Sequence, residues 1–124
     1  MRGVEHLGGH QFCYLTTVGR RTGRRHEIEI WYAAAPVTPT LYLLSGGGDR
    51  ADWVRNLMAS PGADVRLGDA THRAIARILD EPSEEEQEAR RLVFEKYDPG
   101  YDGDLSRWRE RALPVALDLV QTPA

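Results

Sequence analysis

"FCYLTTVGRRTGRRHEIEIWYAAA", residues 12–35, holds two strand-like stretches on either side of a short basic turn. The first, residues 12–19, mixes β-branched and aromatic side chains and stops at Gly19, the signature of a strand. The second, residues 26–35, alternates: Ile28, Ile30 and Tyr32 share one face, and Glu27, Glu29 and Trp31 the other. That period of two marks a half-buried strand. The turn between them carries Arg20, Arg21, Arg24 and Arg25. Strands joined so closely pair antiparallel, so the fold grows from a hairpin whose tip is positively charged.

Working outward, "LYLLS" at 41–45 reads as a third strand, closed by Gly46, Gly47 and Gly48. In "DRADWVRNLMASPG", Asp49 or Asp52 caps a helix with Trp53, Leu57 and Met58 on its apolar side, and Pro61 and Gly62 end it. Residues 63–79 give two strands around the hairpin pair Gly68-Asp69. "PSEEEQEARRLVFEKY" is a helix capped by Ser83, with Glu86 at the capping-box position, acids in its first turn, and Leu92, Val93 and Tyr97 toward the core. "LSRWRERA" adds one or two helical turns, and "LPVALDLV", residues 113–120, a sixth strand. Antiparallel neighbours with helices inserted late indicate an α+β domain on a small barrel, not a βαβ sheet. We read residues 1–124 as one domain without repeats or linker, and residues 1–10 as its flexible N-terminus.

A chain of 124 residues, 41% hydrophobic and 28% charged, buries a core without staples. No apolar run approaches the roughly 20 residues a bilayer crossing needs, and the first dozen residues contain no signal-like stretch, so a cytoplasmic protein is expected. Cys13, the single cysteine, reads as a small strand residue. The net charge is −3, yet residues 20–25 carry +4, leaving −7 elsewhere. A nucleic-acid binder is usually basic over a whole face. No nucleic-acid partner is therefore expected, and the loop reads as a local anion site.

The loop has the parts of a polyanion cradle. Gly19 and Gly23 let the backbone turn tightly, Thr22 adds a hydroxyl, and the arginines offer planar forks for phosphate or carboxylate oxygens. On these residues alone a solvated turn, its arginines paired with Glu27, Glu29 or the acidic helix, stays open. The glycine spacing between two strands is not that of a P-loop. "LSGGGDRADW" is a second constellation: a strand ends at Ser45, and a helix follows the glycines, so free amides could face an anion or a ring edge. If the first three strands are neighbours, both loops border one groove. His6, His10, His26 and His72 lack metal-ligand spacing, so no metal site is expected. Trp31, Trp53, Trp108, Tyr97 and Tyr101 read as core or pocket wall, the two tyrosines flanking a Pro-Gly break.

With these motifs in order, the chain resembles the deazaflavin-dependent nitroreductase and quinone reductase family of the flavin/deazaflavin oxidoreductase superfamily. The resemblance runs from about residue 10 to 120, through "LTTVGRRTGRRHEIEIWYA", "LYLLSGGGDRADWVRNLMASPGADVRLG" and "LPVALDLV". It implies an FMN-binding split-barrel-like fold, a mostly antiparallel six-stranded barrel with peripheral helices. It also implies coenzyme F420, an 8-hydroxy-5-deazaflavin with a phosphate and an acidic oligoglutamate tail; FMN is the alternative. By position, the family's cofactor contacts fall on Thr17, Arg20, Arg21, Thr22, Gly23, Arg24, Arg25, His26, Ser45, Gly46, Gly47, Trp53 and Asn56. The arginine segment would grip phosphate and tail, the glycine segment would lie along the cofactor, and Trp53 and Asn56 would help hold it.

The implied reaction passes a hydride from C5 of the reduced deazaflavin to a quinone, nitroaromatic or enone-like acceptor. The cofactor carries the chemistry and the protein the orientation. Tyr97 or Tyr101 is the expected proton donor or pocket wall. A protein that holds a flavin or deazaflavin without turnover, and an FMN-dependent reductase, are the alternatives. A homodimer is a further expectation, since barrels of this superfamily often pair. Two departures from the nitroreductase type stand out: Gly46 replaces a lysine in a loop about two residues shorter, and the N-terminal extension over the substrate pocket is nearly absent.

Overall fold

The computed structural model describes residues 4–120. Seven strands form one curled antiparallel sheet: β1 (Cys13–Val18), β2 (Arg25–Ile30), β3 (Ala33–Ala34), β4 (Thr40–Ser45), β5 (Gly62–Leu67), β6 (Ala70–Ile78) and β7 (Leu113–Leu119). Their order across the sheet is β2-β1-β5-β6-β7-β4-β3. Three helices attend it: α1 (Asp52–Ala59), α2 (Glu84–Tyr97) and α3 (Ser106–Arg111). The expected split-barrel architecture holds, with corrections that bear on the site.

The seventh strand arises because the stretch 26–35 is not continuous. It breaks at Trp31 and Tyr32, and the two-residue β3 leaves β2 to pair with β4. Tyr97 of α2 fills the gap in the ladder. Its hydroxyl accepts from the Tyr32 amide at 3.0 Å and lies 3.0 Å from the Tyr32 carbonyl and 2.6 Å from that of Gln11. The first and third expected strands are therefore not neighbours: β4 pairs with β7 and β3, away from the β1–β2 hairpin. The Arg20–Arg25 and Ser45–Gly48 loops do not meet through adjacent strands.

Alternation builds the core. On β1, Cys13, Leu15 and Thr17 point inward with the buried face of β5, while intervening residues are half-exposed. The inner core joins these to Leu41, Leu43, Val115 and Leu117, and α1 closes it with Val54 and Leu57. A second cluster lies across the sheet, where Ala89, Val93 and Tyr97 of α2 cover Tyr42, Leu44 and Ala116. β4 is buried on both faces, which is why its sequence is an unbroken apolar run rather than an alternation. Met58, read as apolar-side, is 59% exposed; the buried residues of α1 are Val54, Asn56 and Leu57.

The caps follow local chemistry with one exception. Ser83 accepts the Glu86 amide at 3.0 Å, as read, but the Glu86 carboxylate turns to Arg90. Neither Asp49 nor Asp52 caps α1; its N-cap is Ala51, without a side-chain bond, and Asp52, the first helical residue, pairs with Arg20. The expected flexible segment 1–10 is in part structured: Val4–Gly8 forms a 3-10 turn and Leu7 is buried. Residues 1–3 lie outside the described residues. The Gly68-Asp69 hairpin forms as read, with Gly68 at φ +60, a conformation that suits glycine.

Arg77 of β6 bridges Asp118 of β7 at 2.5 Å and Glu85 of α2 at 2.8 Å. Thr40 and Tyr42 donate to the same two carboxylates, each at 2.9 Å. Arg77 holds both acids below their ordinary values of 3.8 and 4.5. A depressed folded-state pKa stabilises the fold above the unfolded value, and that stabilisation is lost as pH falls through the folded one. Stability should therefore drop as pH falls from about 5 toward 3, and Arg77→Gln should flatten that drop. Urea denaturation midpoints across this range check it.

Candidate functional site

A cleft of about 570 Å³ opens where the β1–β2 turn faces α1; Thr17, Gly19, Arg20, Arg21, Thr22, Arg24, His26, Glu27, Ile28, Asp52, Trp53 and Asn56 line it. The turn is held from within. The Gly19 amide donates to the Arg24 carbonyl at 2.7 Å, and that of Gly23 to the Gly19 carbonyl at 2.8 Å. Gly23 takes φ +74 with open space around it. At Gly19 a Cβ would lie 2.8 Å from His26 Nε2, so a side chain there would have to displace the imidazole.

Asn56 locks this turn to the helix. Its Oδ1 accepts from the Arg20 amide at 3.2 Å and from Arg20 Nη1 at 2.9 Å, while its Nδ2 donates to Thr17 Oγ1 at 3.1 Å. Both Asn56 and Thr17 are buried. Arg20 Nη2 completes the staple with Asp52 at 3.1 Å. The Arg20 guanidinium is thus engaged in holding the loop.

The strand pleat sorts the other arginines. Val18 stands opposite Arg25 and Thr17 opposite His26; since alternate residues face opposite sides, His26 turns into the cleft and Arg25 away from it. Arg25 pairs with Asp64 on the outer face, where Arg73 approaches the same carboxylate at 3.4 Å. These partners keep the Asp64 carboxyl below its ordinary value, the Arg25 hydrogen bond contributing most. Arg21 and Arg24 remain: both are exposed, line the cleft, and have no side-chain partner among the described residues. The cleft accordingly offers two uncommitted guanidinium groups beside an apolar wall of Trp53 and Ile28. Such an arrangement suits a flat ligand with an anionic arm.

The remaining sequence candidates sit elsewhere. Ser45 is buried and donates to the Gly48 carbonyl at 2.9 Å, and Gly46 and Gly47 line no part of the cleft. A side chain at Gly46 would lie 3.6 Å from the Trp108 indole, and one at Gly47 3.6 Å from Ala51, which precedes α1. This loop therefore runs between the cleft helix and a cluster of aromatic rings. Trp31 stacks on Tyr97 with centroids 4.2 Å apart, and meets Tyr101 and Trp108 edge-on at 5.9 and 5.7 Å. Tyr97 and Tyr101, with Gln11, Trp31, Lys96 and Gly100, line a second cavity of about 190 Å³. Burial pushes the Tyr97 phenol up to about 12. Sequence reading passed over Asp52 as a partner of Arg20 and Lys96 as a cavity residue; the only available signal was that Lys96 is the sole lysine.

Comparison with known proteins adds to this geometry. A family model described as F420H2-dependent quinone reductase matches residues 2–120. None of the curated proteins compared matches the chain. Among solved structures, an F420-H2 dependent reductase (FDR-A) superposes with a TM-score of 0.67 at 23% identity, covering 87% of this chain and 94% of that one. A conserved hypothetical protein from Mycobacterium tuberculosis gives 0.74 at 19% identity over 95% of this chain and 78% of that one. A heme storage protein from Vibrio cholerae gives 0.69 at 16% identity over 90% and 83%. Likeness at these identities shows a shared split-barrel fold, and one fold hosts unrelated ligands.

The staple carries a measurable consequence. Asn56→Ala leaves the Thr17 hydroxyl and the Arg20 amide short of a partner, which should cost about 1–3 kcal/mol. Urea denaturation reads the loss, and amide hydrogen exchange should show faster opening at the Arg20 amide than in β7.

Proposed function

The chain belongs to the F420H2-dependent quinone reductase family, and from that premise we propose that it transfers a hydride to a quinone, nitroaromatic or enone-like acceptor, with the quinone the best fit to the family. As a member it is an oxidoreductase, and its cofactor is coenzyme F420. The observation that supports the placement is the pair of uncommitted guanidiniums, Arg21 and Arg24, at one end of a cleft walled by Trp53 and Ile28. When bound, the deazaflavin supplies the hydride, so the protein needs no nucleophile of its own.

The side chains divide the binding work. Arg21 and Arg24, aided by the open backbone at Gly23, face the phosphate and carboxylates of the tail. Trp53 offers a flat apolar wall, and His26 borders the same space. Thr17, Arg20 and Asn56 act behind them by fixing the turn, so that little ordering remains to be done when the ligand arrives. Arg25, engaged on the opposite face, takes no part. Ser45, Gly46 and Gly47 shape the loop that leads from α1 toward the aromatic cluster, and Tyr97 and Tyr101 wall the far end of that path.

Titration with the deazaflavin and with FMN, followed by fluorescence, tests this reading. Wild-type protein should prefer the deazaflavin, and rising salt should weaken it. Arg21→Ala with Arg24→Ala should lose at least about tenfold in affinity, the loss of one or more charged hydrogen bonds, and most of the salt dependence. Arg25→Ala should stay near wild type. Tight FMN binding without deazaflavin binding would overturn the assignment.

A further inference from the structure

Lys96 is the one lysine among sixteen basic residues, and its setting is unlike that of the arginines on ion pairs. Its ammonium is half-buried at the last turn of α2, and no carboxylate lies within pairing distance among the described residues. Nζ donates to the His10 carbonyl at 2.7 Å and stands 3.7 Å over the Tyr32 ring and 5.2 Å from that of Tyr97. One carbonyl and the ring faces leave donor capacity unspent on a group that carries three hydrogens. Lys96 lines the 190 Å³ cavity with Trp31, Tyr97 and Tyr101. A cavity with aromatic walls and a lone unbalanced cation calls for a flat ring bearing an electron-rich oxygen.

We propose that this cavity is the acceptor site, that it takes a single-ring compound with a carbonyl or phenolate oxygen, and that the Lys96 ammonium is the catalytic group that holds and protonates that oxygen. The assignment rests on the reductase reading above. The loop from Ser45 runs between the two regions: a Cβ at Gly47 would lie 3.6 Å from Ala51, which precedes α1 beside the cleft, and one at Gly46 3.6 Å from the Trp108 indole, which meets Trp31 edge-on. A quinone that gains a hydride gains two electrons and one hydrogen, and negative charge collects on its oxygen. The nearby ammonium opposes that charge. An N–H bond of Lys96 then breaks as the O–H bond forms, and water returns the proton to the amine.

The residue type fits the task. An arginine here would keep its proton, whereas a lysine deprived of solvent can release one. Burial lowers the Lys96 ammonium to about 8. The groups that face it do not compete: burial pushes Cys13 and Tyr97 up to about 12 and raises Tyr32, His10 contributes its carbonyl, and Tyr101 edges the same space.

Two measurements test the proposal on the full chain. In the first, 4-nitrophenol is titrated with cofactor-free protein while its absorbance reports the ionised form. Wild-type protein should bind the phenolate in preference to the phenol and lower its apparent pKa. Lys96→Met should weaken phenolate binding about tenfold or more, Lys96→Arg should retain it, and Tyr101→Ala, at an exposed position, should weaken it several-fold. In the second, kcat for duroquinone with the reduced deazaflavin should fall above pH about 8 in the wild type. Lys96→Arg should lose that limb and about a hundredfold in kcat, with little change in KM. Unchanged phenolate binding in Lys96→Met of native circular dichroism would overturn the site, as would unchanged binding in Tyr101→Ala. Lys96-dependent phenolate binding without deazaflavin oxidation by any quinone would overturn the reductase reading and the proton-donor role together, and leave the anion site standing.

Discussion

One buried carboxamide organises the cation-lined end of this molecule. Asn56 reaches from α1 to the Thr17 hydroxyl of β1 and to both the backbone and side chain of Arg20. Each of these groups would be costly to bury alone, because an unpaired polar atom away from water forfeits its hydration without return. The three are stable only together. The helix, the strand and the turn thereby take up fixed relative positions, and the cleft between them exists before any ligand enters it.

The same constraint explains how four adjacent charges come to have different fates. Like charges packed into six residues repel one another, and the fold relieves this by dispersing them and pairing two of them with aspartates. Arg20 is drawn onto α1 by Asn56 and Asp52, and Arg25 is carried to the other side of the sheet by the pleat. Arg21 and Arg24 are left lining the cleft with no side-chain partner among the described residues. A count of basic residues overstates the charge a ligand meets, and the turn geometry supplies the correction.

Much of this fold was legible in the chain because local chemistry and tertiary need agree. The first strand, the Gly68-Asp69 turn and the Ser83 cap each form as their sequences indicate. Sequence failed where a partner distant in the chain decided the outcome. Nothing in residues 26–35 reveals that a hydroxyl 65 positions away would bridge a break at Tyr32. Nothing in "LYLLS" says which strand lies beside it, since a run buried on both faces carries no register. Asp52 looked like a helix cap, but the helix starts one residue earlier than a cap there requires, and its carboxylate pairs with Arg20, 32 residues earlier. The candidate residues could be named from the chain, but their division between two cavities and the outer sheet face could not.

The Tyr97 hydroxyl has an implication for solubility. By serving the Tyr32 amide and approaching the Tyr32 and Gln11 carbonyls, it occupies main-chain groups that would otherwise be open for pairing beside the sheet edge at β3. Open strand edges recruit other chains. The last turn of α2 therefore satisfies backbone groups at the break between β2 and β3 that no neighbouring strand serves.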